Sequence, residues 1–191
     1  MKIILASSSP GRKKVLEDIG LIFDVVPSDY EEDMSLQLPS HALAMHLSQG
    51  KARDVAQKFR HEDVVIIAAD TFGVYENNFL GKPHTEEKAK EMLLMLQGNV
   101  HSMVTGLTII TTKDNKEVTR SAETRIWFRN IPEEEIDEYI KTGESLEKAG
   151  GYAYQGLGNK FVKKIEGSES NIIGLPIEKL KEVLKQFNYQ I

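Results

Sequence analysis

Residues 64–69 read VVIIAA, an unbroken apolar run dominated by β-branched side chains. A strand with no polar face has to be covered on both sides, which is the position of a strand inside an α/β sheet and not at the surface of an antiparallel one. The chain provides the covering elements. Residues 40–59 carry Ala44, Leu47, Ala52, Val55 and Phe59 at helical spacing on one side, with His46, Arg53, Asp54 and Gln57 on the other. Thr85, followed by Glu86 and Glu87, starts a second helix whose inner face is Ala89, Met92, Leu93 and Leu96. Pro132 and Pro176 open two more, the last with Ile177, Leu180, Val183, Leu184 and Phe187 inward.

Strand patterns alternate with these helices. Lys2–Ala6 predicts a strand, Ser9-Pro10 a helix start, and Leu21–Val26 a second strand. Thr71–Leu80 predicts a hairpin turning at Asn77-Asn78. Val100–Thr112 and Val118–Arg129 predict two long antiparallel strands, and Phe161–Ile165 a last one. The expected fold class is α/β with a mixed sheet. At 191 residues the chain suits one large domain or a tight two-lobed one.

The absence of cysteine removes disulfides, thiolate metal sites and a cysteine nucleophile. A net charge of −5 argues against a protein that coats long nucleic acids. No run approaches a membrane span and MKIILASSSP lacks the apolar core of a leader, so a soluble cytoplasmic protein is expected.

Six places carry candidate chemistry. Ser7, Ser9 and Arg12 lie at a strand-to-helix turn, where free N–H groups, hydroxyls and a guanidinium suit an anion; Ser9 as a plain cap with Arg12 in water is the alternative. Asp70 sits where the apolar strand is expected to end, a position for a metal ligand, a proton acceptor or simply a turn cap. Lys51 falls inside an apolar helical stripe, either buried against a partner or snorkelling from its edge. Lys82 is held between Gly81 and Pro83. Glu31 and Glu32 belong to an acidic loop. Gln155 stands in the Gly-rich stretch 150–158, where an amide can read a base edge. The five histidines have no metal-binding spacing.

In order, the chain reads ASSSPGRKKVL, YEED, LSQGKA, AADT, LGKP, KAGGYAYQGLG and GLP. This series resembles the Maf family, nucleoside triphosphate pyrophosphatases first linked to septum formation, over nearly the whole length. The resemblance implies an inosine-triphosphatase-like α/β fold: one domain, residues 1–191, with a long twisted mixed sheet between two lobes and an active-site cleft. It also implies hydrolysis of a nucleoside triphosphate to monophosphate and pyrophosphate with a divalent metal, Mg²⁺ or Mn²⁺.

Residue by residue, the Ser-x-x-Arg motif matches Ser9 and Arg12, the acidic-loop glutamate Glu32, the helix lysine Lys51, the proton acceptor Asp70 and the turn lysine Lys82. Glu32 and Asp70 would hold the metal. Ser7, Ser9, Arg12, Thr71 and Gln155 would contact substrate, and Gln155 favours the branch acting on dTTP and UTP, with a modified pyrimidine triphosphate as the other pyrimidine substrate open to it. Gly11 stands where members commonly carry the first Arg of Ser-Pro-Arg-Arg. The other readings weighed are a nucleotide-binding regulator of cell division with little turnover, and a pyrophosphatase for ITP or 7-methyl-GTP. By analogy with the family, a homodimer is expected, with no membrane or long nucleic acid as partner.

Overall fold

The computed structural model describes residues 2–187 and Tyr189. The elements in order are β1 (Lys2–Leu5), α1 (Pro10–Asp18), β2 (Asp24–Val25), α2 (Ser40–Lys58), β3 (Val64–Tyr75), β4 (Asn78–Leu80), α3 (Glu86–Leu96), β5 (Val100–Thr111), β6 (Lys116–Phe128), α4 (Glu133–Ile140), β7 (Val162–Glu166), α5 (Glu169–Ile173) and α6 (Ile177–Gln186). Seven strands form one sheet in the order β2-β1-β3-β5-β6-β7, with β4 paired to β3. β1 runs parallel to β2 and β3, while β4 is antiparallel to β3 and β7 to β6, so the sheet is mixed. No described helix is long and apolar enough to cross a membrane.

The chain divides into two compact units. The first comprises residues 1–70, 105–122 and 173–191. Here the alternation of strand side chains accounts for the apolar run directly. Val65, Ile67 and Ala69 join Ile3 and Leu5 in one buried cluster with Val15, Leu16, Leu180, Val183 and Leu184 of α1 and α6. Val64, Ile66 and Ala68 join Ile4 and Ala6 in a second, under Ala52 and Val55 of α2. Both faces of β3 are therefore covered.

The second unit comprises residues 71–104 and 123–172. Its core is Leu93 and Leu96 of α3, Ile136, Tyr139 and Ile140 of α4, and Met103, Ile126, Phe128, Tyr152 and Phe161. Thr85 caps α3 as expected, its side chain accepting the Lys88 N–H at 3.3 Å.

Three details differ from the sequence reading. β2 is two residues long, because Leu21 to Phe23 leave the ladder before pairing begins at Ile4↔Asp24. The β3–β4 hairpin turns at Glu76-Asn77, with Asn78 already paired to Tyr75 and Glu76 at φ 53°. The helix α5 carries too few apolar positions to show a period, and its five residues end at Ile173 just before Gly174.

Candidate active site

The residues singled out from sequence fall into two groups. In the first unit, β1 stops at Leu5 and the chain turns through three serines into α1. Ser9 caps the helix, its Oγ accepting the Arg12 N–H at 3.4 Å, and Pro10 fills the first helical position, where no N–H is needed. Ser7 Oγ accepts from the Ser9 N–H at 3.2 Å and from Arg12 Nη1 at 3.0 Å. Arg12 Nε donates to the Gly174 carbonyl at 2.9 Å. Gly174 adopts φ 112°, a conformation open to glycine, and so delivers that carbonyl. The cap reading of Ser9 is correct, but Arg12 is not simply in water. Burial lowers its pKa, while Asp70 and Glu32 raise it, so both carboxylates act on this guanidinium.

Lys51 resolves in favour of burial. It is 9% exposed, and its Nζ lies 2.6 Å from Glu32 Oε1 and is hydrogen-bonded to Asp70 Oδ1. Snorkelling is excluded by this pairing: the helix turns the ammonium toward the sheet, not to its edge. Asp70 is 4% exposed and lies within β3, which continues to Tyr75. The expected strand end is thus a strand interior. The run of apolar residues stops at Asp70, but the β ladder does not, since Gly73, Val74 and Tyr75 go on to pair with β4. Gly11 leaves no empty space. A Cβ there would stand 3.0 Å from Ile173 Cγ2 and 3.3 Å from the Ile173 carbonyl oxygen.

The second unit holds Thr71, Lys82 and Gln155. Thr71 is the half-buried residue that follows Asp70 in β3. The turn carrying Lys82 is bracketed by main-chain bonds, Gly150 N–H to the Gly81 carbonyl at 3.1 Å and His84 N–H to the Leu146 carbonyl at 3.1 Å. Lys82 Nζ is 3.1 Å from Glu147 Oε2, and His84 Nδ1 is 3.2 Å from Glu147 Oε1. Lys82 and then His84 hold the Glu147 carboxyl below its ordinary value. Gln155 is exposed, on a loop whose backbone is tied on either side of it. Tyr139 Oη accepts the Ala153 N–H at 3.0 Å, and Glu144 accepts the N–H groups of Leu157 and Gly158 at 3.1 and 3.2 Å. Upstream, Tyr152 Oη is 2.9 Å from Nε2 of the buried His101.

Sequence reasoning missed Gly174, Glu144, Tyr139 and Glu147. Tyr139 was legible only as a core residue of α4, and the two glutamates looked like any solvated charge. Only the GLP fragment hinted at Gly174.

Among the described residues, no group of three or more His, Asp or Glu side chains converges as a ready metal cage. Two carboxylates, from Glu32 and Asp70, converge on one cation, the Lys51 ammonium. That oxygen pair fits a hard divalent ion that takes its remaining ligands from water and substrate phosphates.

Fold and site together define a mixed-sheet α/β protein in which a serine-capped, arginine-bearing helix start lies in the field of a buried lysine–carboxylate centre. Residues 2–187 match the family model described as Maf-like protein, and the chain belongs to the Maf family. It is 48% identical over 186 residues to the dTTP/UTP pyrophosphatase of Thermoanaerobacter sp. (strain X514), covering 97% of this chain and 96% of that protein. It is 43% identical over 190 residues to the dTTP/UTP pyrophosphatase of Bacillus thuringiensis subsp. konkukian (strain 97-27), covering 100% and 97%. The dTTP/UTP pyrophosphatase of Alkaliphilus oremlandii (strain OhILAs) is 41% identical over 184 residues, covering 96% and 95%.

Proposed function

We propose that this chain hydrolyses dTTP and UTP to the nucleoside monophosphate and pyrophosphate, as one catalytic domain. The observation that carries the reading is the convergence of Lys51 on Asp70 and Glu32, with Arg12 in the field of the same carboxylates. The names of the full-length relatives support the choice of reaction.

Hydrolysis at the α-phosphorus needs a water aligned opposite the pyrophosphate, a place for its proton and cations for the leaving group. Asp70 takes the proton. Lys51, bonded to Asp70 Oδ1, keeps that carboxyl oriented until then. Arg12 offers a planar donor fork to phosphate, steadied by its bonds to Ser7 Oγ and the Gly174 carbonyl. The N–H groups at the start of α1 and the hydroxyls of Ser7 and Ser9 add neutral donors. Lys82 supplies a further positive charge to the pyrophosphate. Mg²⁺, or Mn²⁺ in its place, would be held by Glu32 and Asp70 and would supply charge neutralisation and water activation.

Gln155 accounts for the base. Thymine and uracil present an N–H flanked by carbonyls, and a side-chain amide offers one acceptor and one pair of donors to match. Thr71 is assigned to the same recognition.

The test is pyrophosphate release with Mg²⁺ from dTTP, UTP, CTP, GTP, ITP and 7-methyl-GTP. The expected result is turnover of dTTP and UTP above the rest. No turnover of any member overturns the reading, and an Asp70→Asn variant as active as the parent removes Asp70 from its role.

A further inference from the structure

Glu32 lies in a stretch without regular structure between β2 and α2, and it is exposed like its neighbours Glu31 and Asp33. Its Oε1 nevertheless lies 2.6 Å from the Lys51 ammonium, and ordering a loop for one such contact costs conformational entropy that further contacts can offset. The polar face of α2 supplies such contacts. Residues 46, 50, 54 and 58 are spaced by four and form one line along the helix. All four touch the three residues 28–30. His46 Nε2 is 3.4 Å from Tyr30 Oη. Asp54 Oδ2 accepts from Ser28 Oγ at 2.8 Å and from the Asp29 N–H at 2.9 Å. Lys58 Nζ is 2.7 Å from Asp29 Oδ2. Ser28 Oγ in turn accepts the Tyr30 N–H at 3.0 Å and closes the turn.

The remaining member is Gly50. A glycine inside a helix costs about 1 kcal/mol against alanine, and this one has no positive φ to justify it. Its reason is space. A Cβ at position 50 would stand 2.3, 2.4 and 2.6 Å from three ring carbons of Tyr30. The ring therefore lies directly on the helix backbone where the side chain of residue 50 would be. Lys51 is the next residue after Gly50, and Glu32 is two residues after Tyr30.

We propose that Tyr30 and Gly50, with Asp54 clamping Ser28 and Asp29, are positioning residues that set the distance between the Glu32 and Lys51 backbones and so place Glu32 in the active centre. This rests on the assignment of Glu32 to that centre. The sequence hides the device, because it divides between an acidic loop and the polar face of a helix.

The experiment uses the full chain with Gly50→Ala, Tyr30→Val and the double variant, in the parent and in a Glu32→Gln background. Rates are read against Mg²⁺ concentration at saturating dTTP. Groups that orient a metal ligand typically change affinity by about ten- to a hundredfold, so Gly50→Ala is expected to raise the Mg²⁺ needed for half-maximal rate about tenfold. Removing the ring should make room for the added methyl, so the double variant should be no worse than Tyr30→Val alone. In the Glu32→Gln background, Gly50→Ala should add no further loss. A Gly50→Ala loss of equal size with and without Glu32, or an unchanged Mg²⁺ requirement, overturns the proposal. Where Gly50→Ala does not fold, Tyr30→Val adds no bulk and carries the same expectation, a raised Mg²⁺ requirement that vanishes in the Glu32→Gln background. The thermal midpoints of the four Gly50/Tyr30 combinations read the seat without activity: non-additive midpoints are expected, and additive ones overturn it. A parent inactive on every triphosphate overturns the functional reading, whereas an active parent without these couplings overturns the positioning role alone.

Discussion

Two lysines stood out in the sequence, and the structure treats them in opposite ways. Lys51, in the first unit, is nearly buried and gripped by two carboxylates, one of them inside a strand. Lys82, in the second, has a side chain 53% exposed and, among the described residues, is paired with Glu147, which is itself mostly exposed. A buried ammonium without a counter-charge costs several kcal/mol, so Lys51 and the buried Asp70 depend on each other, while Glu32 closes the pair from its more exposed side. An exposed pair is screened by water and exchanges partners freely, so Lys82 can leave Glu147 for a phosphate at little cost. In the proposed reaction the first group is assembled before substrate arrives, and the second is a charge held in readiness on a fixed turn.

The sharpest way to break this comparison is to neutralise each lysine. Lys51→Met leaves Asp70 buried and unpaired on that side, and is expected to cost roughly 3 kcal/mol or more of stability in denaturant titration as well as abolishing turnover. Lys82→Met should fold like the parent and lose rate alone. Equal effects on the two unfolding midpoints would erase the distinction.

Acid offers a second contrast. His101, 2% exposed in the second unit, has its pKa lowered by burial to about 4. The unfolded chain protonates it near the ordinary value of about 6.5. Protons therefore favour the unfolded state between these limits. The contribution is complete above about pH 6.5 and is lost as pH falls toward 4, by roughly 3 kcal/mol at about 1.4 kcal/mol per unit. Unfolding midpoints across that window should slope downward for the parent. A His101→Gln variant, which keeps a donor for Tyr152 but cannot titrate, should remove this part of the slope.

The smallest expected effect sharpens the Lys82 side. Glu147→Gln frees Lys82 from its counter-ion, and KM for dTTP should fall by a factor of two or so, in keeping with the small energy of exposed pairs. The change should shrink with added salt. A raised KM would mean that Glu147 orients Lys82 for substrate.

The elements were legible where one local signal decided them: the double-faced apolar run of β3, the Ser9-Pro10 start of α1, and the Thr85 cap of α3. They were less legible where pairing decided. The two-residue β2 ends where its partner strand ends, and β3 runs through Asp70 because β4 continues the ladder, neither of which leaves a mark in the residues themselves. The proposed site residues followed the same division. Arg12, Glu32, Lys51, Asp70 and Lys82 could be named from motif order. Glu144, Tyr139, Asp54 and Gly50 could not, because each acts through a segment distant in sequence.

The sequence by itself determined the class of fold, since an all-apolar strand flanked by amphipathic helices has few ways to bury its two faces. It also determined the kinds of group available for chemistry, with no cysteine and no histidine cluster, leaving carboxylates and cations. Only the tertiary structure decided which carboxylates meet which cation. Such a pairing depends on segments distant in sequence being brought together, and here a bare stretch of helix at Gly50 has an aromatic ring lying on it beside the pair, the seat proposed to set that approach.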